Sequence, residues 1–208
     1  MPLPMVHLDT AYALLLPEHE KTPAFWLGCI APDAVHMRPD FVREHPHDAR
    51  DIRRIGNLRP LVESIRAHAP DRDFRLGYLV HLLTDIFWLD SVHPSFSERY
   101  AADPAPVQEQ KKWAYYNDTD PLDFALFQRE PWREEVWQQL SRASPAGIDG
   151  ILRPEDAAAW NQRTLHWYDS GKSAHTYPVK YIMYEDLTAF MRDAAERVRL
   201  YLGNENLL

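Results

Sequence analysis

The chain has 208 residues, 45% of them hydrophobic, enough to bury one sizeable core in a single domain spanning 1–208. A formal net charge of −8 excludes the broad basic footprint that nonspecific nucleic-acid or anionic-membrane binding requires. The lone cysteine, Cys29, excludes an intrachain disulfide, and no apolar run approaches the ~20 residues that span a bilayer.

Apolar periodicity gives helices throughout and no alternating strand, so the fold class is all-α, a multi-helix bundle. The first helix, about 5–16, carries His7 near the start of its apolar run. That run lacks a positive leader and is interrupted by His7 and Asp9, so it does not read as a secretion signal and the expected location is cytoplasmic. A second helix, about 22–31, should break before Pro32, because the residue preceding a proline is pushed out of the α region. Asp33 then sits at a chain break, where a carboxylate can reach a ligand that a regular helix would not. Next comes Glu44, His45, Pro46, His47 and Asp48, followed by helices at about 48–56 and 59–68. Their Arg50, Arg53, Arg54, Arg59 and Arg66 alternate with Asp51 and Glu63, the pattern of a solvated face.

The long apolar helix 72–92 is the most informative. Its His81 and Asp85 lie four residues apart, on one face and one turn from each other. An ionised carboxylate buried there is costly unless a cation or metal pairs with it, and the simpler alternative is a His–Asp hydrogen bond. His93 follows just beyond. Helices at about 105–116 and 121–128 flank Asn117 to Asp120, with Asp120 as N-cap before Pro121 and Asp118 left to supply a metal carboxylate or to hold a ligating histidine. Helices at about 132–142 and 154–168 follow, separated by a loop at 142–153, and a last helix at about 178–202 closes the bundle through Val179, Ile182, Leu187, Phe190 and Met191. Most of the aromatics belong to the core, and Trp113, Tyr115, Tyr116 and Trp167 are the ones to seek near a pocket.

Scattered His and Asp, each on a different helix, is how a bundle builds a metal site in its interior. The order His7, the Pro32–Asp33 step, a histidine at 45 or 47, and His81 with Asp85 resembles the zinc-dependent phospholipase C superfamily, which includes the fungal single-strand-specific nucleases. The resemblance is closer to its small unsecreted bacterial members and covers most of residues 1–127. It implies an all-helical metallohydrolase with a site for one to three zinc ions. His7, Asp33, His47, His81 and Asp85 would be the ligands and Asp33 the catalytic carboxylate, while His36, His45, His93 and Asp118 are further candidates. The implied substrate is a small phosphate ester or a lipid. The chain departs from the secreted enzymes in lacking a later His-x-x-x-Glu pair, since neither His166 nor His175 has Glu four residues on. Two other readings remain. A helical HD-type phosphohydrolase would use His36, His47 and Asp48, and a non-catalytic helical binding protein would keep the polar residues as hydrogen-bonded core pairs.

Overall fold

The computed structural model describes residues 3–14, 21–37, 58–67 and 71–208. These residues are mostly helical and include no strand, so the fold is all-α. In chain order the helices are α1 (Pro4–Tyr12), α2 (Pro23–Ile30), a 3-10 segment (Ala31–Met37), α3 (Arg59–Arg66), α4 (Arg72–Asp90), α5 (Val92–Ala101), α6 (Lys111–Arg129), α7 (Arg133–Arg142), α8 (Pro154–His166) and α9 (Tyr184–Asn204). None is long and apolar enough to cross a membrane. The helix expected at 48–56 lies outside the described residues.

α4 is the axis. It is apolar on nearly every face, from Phe74 through Leu79 and Leu83 to Trp88, and a helix of that kind is stable only when surrounded. α1, α2, α3, α5 and α9 all pack on it. The tightest pairing is with α2, and two glycines explain it. A Cβ on Gly77 would lie 2.0 Å from the carbonyl oxygen of Phe25, and one on Gly28 would lie 2.2 Å from that of Phe74. The two backbones therefore touch at a crossing that no larger residue permits. α2 is started by Thr22, whose hydroxyl accepts from the Phe25 N–H and donates to Asp73 at the head of α4.

Several sequence expectations are corrected. α2 ends at Ile30, before Pro32, as its sequence suggests, but Ala31 does not leave the α region: at φ −66° and ψ −30° it leads into the 3-10 segment. The connection after α4 turns sharply at Ser91 and continues as α5, because Pro94 falls in that helix's first turn, where its missing N–H costs nothing. His93 consequently lies on a helix. Residues 117–120 do not separate two helices: α6 runs unbroken through Pro121, and 105–110 precede it without being helical. Burial of Ala114 and Tyr115 before the proline and of Leu122, Phe124 and Leu126 after it outweighs the lost hydrogen bond. Asp120 is accordingly no N-cap, and its carboxylate instead accepts from the Ser173 hydroxyl. α9 starts at Tyr184, six residues later than its periodicity suggests, and buries Leu187, Phe190, Met191, Ala194, Val198 and Leu202 against the bundle.

Candidate metal centre

Three elements converge beneath the α2–α4 crossing. α1 brings His7, the 3-10 segment brings Asp33 in its first turn, and α4 brings His81 and Asp85; all four side chains are buried. His7, Asp33 and His81 each present a ligand atom within 4.8 Å of the other two. Asp85 faces the Nε2 edges of both imidazoles, its Oδ1 3.6 Å from His7 Nε2 and its Oδ2 3.6 Å from His81 Nε2. The two rings stack at 3.6 Å between centroids and 4° between planes.

The glycine crossing sets the orientation of His81. Gly77 is one turn before His81 and Gly28 immediately precedes Cys29, so the close approach delivers the Cys29 carbonyl to His81 Nδ1 at 2.7 Å. A carbonyl only accepts, so Nδ1 carries the proton and Nε2 faces the carboxylates. Among the described residues neither His81 Nε2 nor Asp85 Oδ1 makes a hydrogen bond, since 3.6 Å exceeds hydrogen-bond reach. In the neutral ring this sets a lone pair against a carboxylate, an arrangement that needs a proton or a cation between them.

The charges respond accordingly. Burial opposes the imidazolium of His81, but the Asp85 and Asp33 carboxylates outweigh it and raise its pKa. Burial likewise opposes ionisation of Asp85, yet His81 and His7 hold its carboxyl below the ordinary value. Asp33 is raised by burial, with His81 lowering it and Asp85 raising it further. Two stacked rings cannot both be protonated at 3.6 Å without strong repulsion, so protons alone balance two carboxylates poorly. A divalent cation fits the donors better. Metal–ligand bonds of about 2.0–2.2 Å put the edge of a coordination tetrahedron at about 3.4 Å, close to the observed 3.6 Å separations.

Of the other candidates, His45 and His47 lie outside the described residues. His36 is exposed, three residues after Asp33, with its ring 6.2 Å from that of Trp160. His93 packs against Phe96 and Tyr115 and is not part of the close group. Asp118 is committed to backbone: its Oδ1 accepts from the Lys180 N–H, and its Oδ2 accepts from the N–H groups of Tyr181 and Ile182. Tyr115 is buried beside the site, and burial pushes its phenol well above the ordinary range, so it stays a neutral hydroxyl.

Sequence reasoning missed the Cys29 carbonyl, because a backbone acceptor carries no residue-type signal. It also missed Trp160 and Arg163 on α8, which packs across the 3-10 segment; their i,i+3 spacing was the available clue. The chain matches no family model, no curated protein and no solved structure.

Proposed function

We propose that the protein is a zinc-dependent phosphoric ester hydrolase. The supporting observation is the convergence of two imidazoles and two carboxylates on one buried point, with His81 Nε2 and Asp85 Oδ1 facing it unbonded. Mixed imidazole and carboxylate donors suit zinc, and two histidines with one carboxylate leave a coordination position open for chemistry. The ordered resemblance to the zinc phospholipase C superfamily supports the same reading. An HD-type site would leave His7 and Asp33 without a role, yet both lie in the close group.

His7, His81 and Asp85 would hold the ion, with the Cys29 carbonyl fixing the ring of His81. A bound zinc ion would lower the pKa of a water towards ~7 and stabilise charge on phosphoryl oxygens. Asp33, made more basic than an ordinary carboxylate by burial, would orient the attacking water and accept its proton. That proton then passes to the departing alkoxide.

The test is hydrolysis of nitrophenyl phosphomonoesters and phosphodiesters by zinc-loaded protein, with zinc content measured in parallel. Asp33→Asn keeps the shape and removes the base, so kcat should fall by about 10²–10⁴ while most of the fold is retained. Unchanged turnover in that variant removes Asp33 from the mechanism. Zinc uptake without hydrolysis of any ester would favour a non-catalytic binding protein.

A further inference from the structure

A second cluster, which metal binding does not use, borders the carboxylate Asp33. Spacings of three and four residues place Trp160, Arg163 and Trp167 along one side of the C-terminal end of α8. The Arg163 guanidinium lies 4.5 Å from the ring centre of Trp160 and 4.2 Å from that of Trp167, held by two indole faces. No hydrogen bond or ion pair from a described residue occupies its donors, and the side chain is exposed. Beside it, the indole N–H groups of Trp160 and Trp167 are buried and find no acceptor among the described residues, and Trp160 is only 7% exposed.

The cluster faces the metal-binding group. α8 packs on the 3-10 segment that carries both Asp33 and His36. The ring of His36 is in turn 6.2 Å from that of Trp160. The field of Asp33 reaches Arg163, partly offsetting the burial that lowers the guanidinium's pKa. Had Arg163 served only as the counterion of Asp33, its fork would have closed on that carboxylate; instead it stacks on the indoles with its donors open. A guanidinium held by two ring faces with its fork open is preorganised for a ligand rich in acceptor oxygens.

We propose that Arg163, held by Trp160 and Trp167 beside Asp33, anchors a phosphoryl group with three non-bridging oxygens, which makes phosphomonoesters the substrate class. A guanidinium fork takes two phosphoryl oxygens, and a third is then needed on the metal side. A diester has only two non-bridging oxygens and carries one charge fewer. This inference rests on the zinc-hydrolase reading for its second contact.

The experiment titrates zinc-loaded and metal-free protein with inorganic phosphate, phenyl phosphate and diphenyl phosphate, following tryptophan fluorescence and calorimetry. Zinc content and thermal unfolding are recorded for every variant. Phenyl phosphate should bind wild type more tightly than diphenyl phosphate. Arg163→Met should weaken phenyl phosphate and inorganic phosphate roughly ten- to hundredfold at unchanged zinc content, and Arg163→Lys less, because a point charge lacks the fork. Equal affinity for the two phenyl esters, or wild-type phosphate binding by Arg163→Met, overturns the proposal. If wild type takes up no zinc, the hydrolase reading fails separately. The metal-free titrations then decide on Arg163 by the same loss for inorganic phosphate, and absence of phosphate binding in both forms also overturns it.

Discussion

At the scale of single residues, this bundle keeps several carboxylates dry and gives each a different task. The imidazoles of His81 and His7 hold the Asp85 carboxyl below its ordinary value, Asp118 accepts from three backbone N–H groups, and Asp123 ties α1 to Tyr168. Asp123 Oδ1 accepts from the Met5 N–H at 3.0 Å, satisfying an orphan donor in the first turn of α1, and its Oδ2 accepts from the Tyr168 hydroxyl. Burial nevertheless pushes its pKa from 3.8 to about 7, with Tyr168 and Met5 opposing the rise and Asp120 adding to it. The sign follows from linkage. The folded state binds a proton that the unfolded state has released, so this stabilisation is full below pH about 4 and disappears as pH rises to about 7. Between pH 5 and 7 the loss amounts to about 2 kcal/mol. Urea unfolding should therefore show wild type losing stability over this interval, and Asp123→Asn losing markedly less. Parallel pH profiles for the two proteins would show that Asp123 does not titrate as its burial implies.

At the scale of elements, the α2–α4 crossing couples stability to the site. Gly77→Ala places a methyl group 2.0 Å from a backbone carbonyl that cannot move without its helix. Overpacking of this kind costs about 1–3 kcal/mol or more, and rigid backbone on both sides puts this case at the upper end. The same displacement carries the Cys29 carbonyl away from His81, so the zinc affinity of the proposed site should fall about 10- to 100-fold, the range for loss of a ligand's supporting hydrogen bond. Denaturant midpoints and competition with a chromogenic chelator measure the two effects, and a stable variant with normal affinity would detach the crossing from the site. The stretch before α9 has a comparable anchor. Asp118→Ala strands the N–H groups of Lys180, Tyr181 and Ile182, each worth about 1–3 kcal/mol when left unsatisfied. Limited proteolysis should then cut near 176–183 well before the rest of the chain, whereas an unchanged digestion pattern would mean that other contacts hold the segment.

At the scale of the whole molecule, α4 surrounded by α1, α2, α3, α5 and α9 means that the proposed metal ligands are drawn from elements that must already be folded together. Binding to the folded state alone adds stability by mass action, about 2.7 kcal/mol at a free zinc concentration one hundred times Kd. For a chain of this length that is a rise of roughly 5–11 °C in Tm, reversed by a chelator. His7→Ala should abolish the rise while the metal-free Tm changes less, and a shift that survives in that variant would place the zinc elsewhere.

How much of this the sequence determined by itself varies by feature. The all-α class follows from apolar periodicity alone, and helices α2, α3, α7 and α8 begin within a residue or so of where their prolines and polar starts put them. The face shared by His81 and Asp85 follows from helix geometry, which is local. That His7 and Asp33 reach this face, 26 residues apart in the chain, was legible only through the ordered resemblance, because no local rule relates one helix to another. Tertiary structure decided the rest. Packing carried α6 through Pro121 and kept Ala31 helical before Pro32, overriding backbone preferences worth only a few kcal/mol. The Cys29 carbonyl, the commitment of Asp118 to the segment before α9, and the meeting of Arg163 with two indoles beside Asp33 arise from distances between elements. A sequence fixes such distances only through the sum of all its packing.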